Sequence, residues 1–379
     1  MKKKIYFWSP YNSKVGTVNS VLNSARSMKK YSKNILNPYL IDTTGEWGQF
    51  NKEINIIFLR KDKFDLRKIK NKGFFWSRLF FFLIFLFNFL KLKNLLKKNK
   101  PDYLIVHLIT SLPLFLYLIF KFDTKLILRI SGEPHLGILR SFFWKLLSKK
   151  IFAVTCPNNK IKEILIKKQI FLPDKIKVIL DPVIDVKEIL NQKNVKSDRE
   201  NIIEEDYVVA VGRLTKQKNF KFLVKGFKKL KIYYPNLKLY ILGEGEEKAQ
   251  LQELIFKLGL NDDVKLMGFK NNVYFYMQNA KCLILTSILE NPGHVLIEAA
   301  ANNCSIISSN CPTGPSEFLQ ETKGGFIFNT NDEIDFIKNF KKFMEMDKLN
   351  ISKKKYFAKK NSINYSWFRH FKKLEKLLI

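Results

Sequence analysis

The chain has 379 residues, 46% of them hydrophobic, with only 16 glycines and 12 prolines. That is enough for two domains with real cores, and it excludes a disordered or fibrous protein. Basic residues outnumber acidic ones by 67 to 34, and the first 200 residues carry 39 basic against 15 acidic side chains. Such an excess implies a polyanionic surface as partner, unless it only reflects lysine-rich codon usage. No zinc-finger spacing, RNP-like aromatic motif or basic-zipper heptad is present, so nucleic acid is not the expected partner.

Short apolar runs alternate with longer helical patterns, which argues for parallel sheets covered on both faces. The expected strands of the first half are 4–8, 37–41, 54–59, 103–107, 125–130, 151–155 and 177–179. Those of the second half are 207–211, 238–242, 264–267, 282–285, 305–308 and 325–328. The reading is α/β, with two Rossmann-like domains in tandem over 1–185 and 206–362. A polar hinge over 186–205 separates them.

One segment breaks the soluble pattern. Residues 74–90, FFWSRLFFFLIFLFNFL, are apolar on every side, and KLKNLLKKNK follows at once. Spanning a bilayer takes ~20 apolar residues, more than this run supplies. It reads as a helix docked in the N-terminal core or as a monotopic contact with an anionic inner leaflet, and least as a true span. The expected location is therefore cytoplasmic and peripheral on the inner membrane face. The N-terminus has a lysine cluster without the apolar run of a signal peptide behind it. Cys156, Cys282, Cys304 and Cys311 are scattered without C-x-x-C spacing, which suits small core residues in a reducing compartment.

Four stretches of the second half carry chemistry. VAVGRLTKQKNF ends a buried strand at Gly212, after which Arg213 and Lys218 bracket a polar turn. Arg offers a planar fork to phosphate and Lys a point charge. LYILGEGEEK is a truncated dinucleotide fingerprint with Lys248 at its third glycine position, which argues against a nicotinamide cofactor. VKLMGF follows. Then comes LENPGHVLIEAAA, with Glu290 and Glu298 eight apart across a Pro-Gly turn that opens an Ala-rich helix. A strand, a glycine turn and a helix start aim N–H groups and a positive dipole end at an anion. The two carboxylates are placed to hold sugar hydroxyls on either side of a bound phosphate. No D-x-D occurs, so a metal-dependent sugar-nucleotide site of that kind has no ligands, and no cofactor is expected.

Together these four motifs resemble the C-terminal domain of family 4 retaining glycosyltransferases with the GT-B fold (glycosyl transferases group 1). The closing NYSWFRHFKKLEKLL resembles that family's last helix, which implies that 363–379 crosses back to the N-terminal domain, and the resemblance implies that 1–185 binds the acceptor and 206–362 the nucleotide sugar. The resemblance implies that Arg213 and Lys218 hold the donor diphosphate, Glu298 the ribose hydroxyls, and that Glu290 faces the donor sugar. Main-chain N–H groups of Gly293, His294 and Val295 would meet sugar or phosphate, and Gly268 and Phe269 would lie along the base. The chain departs from the family pattern at Asn291-Pro292, where Gly-Phe is usual. It departs again in the KVGT loop, where Gly16 alone remains to approach the diphosphate.

In the first half, His107 ends a strand where the family often has a histidine facing acceptor or donor; otherwise it caps the strand in the core. RISGEPH groups Arg129, Glu133 and His135, with Glu133 placed to orient an acceptor hydroxyl, unless it simply faces solvent. His370 reads as an exposed residue of the last helix. The expectation is a metal-independent retaining hexosyl transfer from a nucleotide sugar, a UDP-sugar first, to a lipid-linked saccharide or polysaccharide in cell-surface polysaccharide or lipopolysaccharide synthesis. Rival readings are a sugar-nucleotide epimerase of similar architecture, which would need no acceptor, and a non-catalytic membrane- or polyanion-binding protein, indifferent to alanine at Glu298 or Arg213.

Overall fold

The computed structural model describes residues 2–11, 16–60, 74–134, 137–193 and 206–379. The chain divides into two compact units, Met1–Pro182 with Trp367–Ile379, and Val183–Ser366.

Unit 1 is built on a seven-stranded parallel sheet. Its strands are β1 (Lys3–Trp8), β2 (Leu36–Asp42), β3 (Asn55–Phe58), β4 (Tyr103–Val106), β5 (Lys125–Arg129), β6 (Ile151–Cys156) and β7 (Ile176–Val178). The order across the sheet is β3-β2-β1-β4-β5-β6-β7. Helices α1 (Gly16–Tyr31), α2 (Phe74–Asn99), α3 (Ser111–Ile119), α4 (Ile138–Leu147) and α5 (Asn159–Lys167) connect these strands. Strands such as YLIV and LILR are buried along both faces, which is why they read as continuous apolar runs and not as alternations.

Unit 2 opens with α6 (Val186–Lys193) and carries a six-stranded parallel sheet. Its strands are β8 (Tyr207–Val211), β9 (Lys238–Leu242), β10 (Val264–Gly268), β11 (Cys282–Leu285), β12 (Ser305–Ser309) and β13 (Phe326–Phe328). The order is β10-β9-β8-β11-β12-β13. Its helices continue with α7 (Phe220–Leu230), α8 (Lys248–Lys257), α9 (Val273–Asn279), α10 (His294–Ala301), α11 (Pro315–Leu319), α12 (Glu333–Glu345) and α13 (Lys348–Ser362). Helix α7 buries Phe220, Leu223, Val224, Phe227 and Leu230, the stripe expected of a helix with one face on a sheet. At Gly226 it lies so close to α12 that an added Cβ would sit 2.8 Å from the Phe336 ring.

In both sheets the chain starts in the middle, works outward one way, then jumps back across the first strand. The switch points fall between β1 and β4 and between β8 and β11. Loops at the carboxyl ends of those strands form the binding crevice of such sheets.

Each of the thirteen expected strands is present, with ends shifted by at most a residue or so. The expected polar hinge is different. Its first part, Val186–Lys193, is helical, begun by the Asp185 carboxylate accepting from the Lys187 N–H and packed against α9. The remainder, 194–205, lies outside the described residues.

Helix α2 docks one face of the apolar segment in the unit 1 core. Phe80, Ile84, Asn88, Leu92 and Leu96, spaced by four, form a buried stripe on the unit 1 sheet. The stretch Arg78–Asn99 is long and apolar enough to cross a membrane by length and composition, yet that stripe ties one face to the protein. Its other faces leave Phe81, Phe82, Leu86, Phe87 and Leu90 exposed.

The last helix, α14 (Trp367–Leu378), packs on α1 within unit 1 and corrects one expectation. His370 is buried, not exposed. Its Nδ1 lies 2.6 Å from the Leu180 carbonyl and its Nε2 2.9 Å from Ser24 Oγ. A carbonyl only accepts, so Nδ1 carries the proton and Nε2 accepts from the serine. Burial pulls the imidazole down to about 4, against the Leu180 hydrogen bond that favours its charged form. A histidine with a depressed folded pKa stabilises the fold above its unfolded value and loses that contribution as pH falls toward the folded one. The stability difference between wild type and His370→Gln in urea unfolding should therefore shrink by on the order of 2 kcal/mol from about pH 7 to about pH 4.5. A difference independent of pH would contradict the buried, neutral assignment.

Candidate functional site

The turn after β8 and the turn after β11 meet at the unit 2 switch point and are stitched together. Ile288 N–H donates to the Gln217 carbonyl at 2.8 Å, and Gln217 Nε2 returns a bond to the Leu289 carbonyl at 2.8 Å. Thr286 Oγ1 donates to the Lys218 carbonyl at 3.0 Å. The fourth stitch is ionic, with Lys218 Nζ 2.5 Å from Glu290 Oε1. Ser287 Oγ donates to the same carboxylate oxygen at 2.6 Å, and Thr313 Oγ1 donates to the Glu290 carbonyl at 2.8 Å. Both charged side chains are largely buried, so their mutual position is fixed more firmly than that of a surface pair.

The third layer of the site is the β9 turn. Gly212 N–H donates to Leu242 O, Leu214 N–H to Glu244 O, and Glu247 N–H to Leu214 O. This backbone-on-backbone contact explains the two glycines of LGEG. A Cβ at Gly243 would lie 1.9 Å from the Gly212 carbonyl oxygen, and one at Gly245 would lie 2.3 Å from that of Leu214. The G-x-G pair thus serves close packing of two turns.

After the cis Asn291–Pro292 bond, Gly293 adopts φ 89° and caps α10 without a side-chain partner. The N–H groups of His294, Val295 and Leu296 in the first turn of α10 sit at the positive end of the helix, that of Leu296 donating to the Gly293 carbonyl at 3.0 Å. Glu298, one turn along, is part-buried. Burial and the nearby Glu188 push its carboxyl up to about 7, against the pull of His294 and Lys218. Tyr274 on α9 belongs to the same group: burial first, then Glu298, Glu188 and Asp185, raise its phenol well above the ordinary range. Glu188 and Tyr274 were not expected from sequence. Glu188 lies in the segment read as hinge, and Tyr274 gives no signal beyond its apolar helix.

The expected residues divide between the units. Lys218, Glu290, His294 and Glu298 come together around the start of α10. Arg213 is exposed and turns instead to a cavity of about 370 Å³ that it lines with Thr215, Lys216, Gln217, Glu246 and Glu247. Gly268, at φ 70°, ends β10 with its carbonyl accepting from Gly243 N–H at 2.8 Å, and Phe269 beside it is exposed.

His107, Gly16 and Glu133 belong to unit 1. His107 follows β4 at that unit's switch point, its Nδ1 buried without a partner among the described residues. Burial, reinforced by Arg129, lowers its pKa to about 3, so it is neutral at ordinary pH. Gly16 opens α1, exposed; the preceding loop, 12–15, is outside the described residues. Glu133 is exposed in the loop after β5. Arg129 is not grouped with it: its guanidinium is buried, donating to Ile179 O at 2.7 Å and pairing with Asp181 at 2.6 Å. His135 lies outside the described residues.

Two parallel α/β units with these switch points define a GT-B fold, and the solved structures agree. A glycosyltransferase from Rickettsia africae ESF-5 superposes with a TM-score of 0.80 at 17% identity, covering 100% of this chain and 98% of that one. Anabaena HepE, solved in complex with UDP, superposes with a TM-score of 0.72 at 14% identity, covering 99% of each. Residues 191–361 match the family model of the glycosyl transferases group 1. A Campylobacter jejuni relative named as an N-acetylgalactosamine-N,N'-diacetylbacillosaminyl-diphospho-undecaprenol 4-alpha-N-acetylgalactosaminyltransferase is 34% identical over 132 residues, 35% of either chain. The chain spans about a third of the length of the curated relatives it matches.

Proposed function

We propose that the protein is a metal-independent retaining glycosyltransferase, moving a hexose from a nucleotide sugar, a UDP-sugar first, to a lipid-linked saccharide in cell-surface polysaccharide or lipopolysaccharide synthesis. The observation that carries this reading is the Lys218–Glu290 pair set beside the start of α10, which no side chain caps, with Glu298 one turn further. The pair holds an ammonium and the helix start holds N–H groups where a departing diphosphate gathers charge, and fixed donors of that kind are the largest single contribution in many transfer reactions. These cations support transfer without a metal ion. Arg213, next to the same turn, is assigned to the outer phosphate.

In this mechanism Glu290 leaves Lys218 partly free as the diphosphate arrives, and its carboxylate then orients a donor-sugar hydroxyl. Glu298 receives the ribose hydroxyls. The anomeric carbon develops oxocarbenium character as its bond to the phosphate oxygen breaks. The acceptor hydroxyl enters on the same face and passes its proton to the leaving phosphate. Neutral His107 and Glu133 are assigned to the acceptor side, and Phe269 to the base. The apolar α2 supports attachment to an anionic membrane at the cytoplasmic face, where a lipid-linked acceptor is presented.

Incubating the protein with a panel of labelled UDP-, GDP-, ADP- and TDP-sugars and a bacterial lipid extract tests the reading. Label should pass from one donor to the lipid fraction with the anomeric configuration kept. Interconversion of the donor sugar without an acceptor, or no consumption of any donor, would overturn it.

The position of Glu298 gives a pH prediction. Ribose hydroxyls donate to the ionised carboxylate, so nucleotide affinity should rise with pH through about 7 and fall roughly tenfold per unit below it. Titration at about pH 6 and about pH 8 should show this slope in wild type and lose it in Glu298→Gln. A slope that survives the substitution would assign the titration elsewhere.

A further inference from the structure

Helix α4 was not singled out in the sequence, yet it exposes a stripe like that of α2. Ile138, Phe142 and Leu146 on α4, and Phe82, Leu86 and Leu90 on α2, each spaced by four, are all more than half exposed. Buried residues of both helices, Trp144 and Leu147 on α4 and Phe80 and Ile84 on α2, belong to one core cluster together with residues of α3. Two apolar stripes therefore stand on the same face of unit 1. Single exposed apolar residues need no explanation, but a contiguous set marks an interaction surface.

We propose that α2 and α4 together form a docking surface for an anionic phospholipid bilayer, with α4 as a second inserting helix. This inference rests on the peripheral attachment proposed above and extends it from one helix to two. Charge selects the occupant. Neither helix contains an aspartate or glutamate, while Arg78, Lys91, Lys97 and Lys98 on α2 and Arg140 and Lys145 on α4 flank the stripes. Burial first, and then the neighbouring Arg78, disfavour the charged form of Arg140. Anionic headgroups relieve such crowding, and basic side chains around an apolar helix are what an acidic leaflet attracts. A second copy of this chain is a poor occupant, because a two-fold contact would set the same positive face against itself.

The test is co-sedimentation of the full chain with phosphatidylcholine vesicles, with and without phosphatidylglycerol. Wild type should bind the mixed vesicles and leave the neutral ones. Ile138→Gln/Phe142→Gln should lower the partition coefficient by roughly 10²-fold, from the loss of two inserted side chains. Phe82→Gln/Leu86→Gln should do the same, with thermal unfolding of both variants unchanged. If only the α2 variant is released, the two-helix surface is overturned and single-helix attachment stands. If wild type binds neither vesicle, both fall. Equal binding to neutral and anionic vesicles, or a dimer in sedimentation velocity that the α4 variant abolishes, also overturns the proposal.

Discussion

Replacing Lys218 by alanine is expected to lower sugar transfer by roughly 10²–10³-fold, the usual loss when one fixed donor to developing negative charge is removed. Lys218 Nζ is held by a defined partner, Glu290, and its stem packs over Gly212, where an added Cβ would lie 3.1 Å from Lys218 Cδ. Alanine removes the ammonium and also strands the Glu290 carboxylate, with Ser287 as its remaining donor. Breaking one side of a buried pair costs about 3–5 kcal/mol, so the variant should also melt earlier. Two measurements separate the effects. Lys218→Arg keeps a cation and should recover most of the stability, with part of the rate. Donor turnover by Lys218→Ala, measured well below its melting temperature, should stay depressed. Wild-type turnover in the alanine variant would remove Lys218 from the chemistry.

Gly243→Ala should be the most damaging single change in unit 2. Gly243 has φ 142°, where side chains are rarely tolerated, and the new Cβ would be driven to 1.9 Å from the Gly212 carbonyl oxygen. The obstacle is backbone on both sides, so no rotamer change relieves it. The β8 and β9 turns would have to part, taking with them the bonds from Leu214 and Glu247 that place the Arg213–Lys218 turn. Loss above about 4 kcal/mol is expected, a drop of roughly 8–16 °C in melting temperature for a unit of this size. Gly137→Ala is the control: nothing lies within 4 Å of its added Cβ, and its melting temperature should stay within a degree or two of wild type. Equal melting of the two variants would show that the turns are not packed as described.

The strands were legible because buried parallel strands need unbroken apolar runs, and VVAV, LYIL and LILR supply them. The glycine turns were legible because backbone packed on backbone leaves no room for a side chain, and the Glu290–Glu298 spacing because Pro and Gly mark the turn between them. Other features were hidden for physical reasons. Helix α6 buries Ile189 while Val186 and Leu190 stay exposed, so its apolar pattern is too weak to stand out from a linker. His370 sits among Arg369, Lys372 and Lys373, and that polar neighbourhood masked it. Its spacing from Trp367, Phe371 and Leu374 is the signal that puts it on the buried stripe. The Lys218–Glu290 pair joins residues 72 positions apart, a meeting that only the strand order creates. The outward face of α4 was missed for a related reason: an apolar stripe reads the same whether it turns to a core or to a surface.

The most direct measurement of the account is calorimetric titration of wild type and Glu298→Ala with the sugar nucleotides of the donor panel. Wild type should bind one of them with measurable heat, and the alanine variant, folded to the same melting temperature, should bind it at least about tenfold more weakly, the loss of a charge-assisted hydrogen bond. Undiminished affinity in Glu298→Ala, or a wild-type protein that binds none of the panel, would contradict a diphosphate cradled between Lys218 and the start of α10.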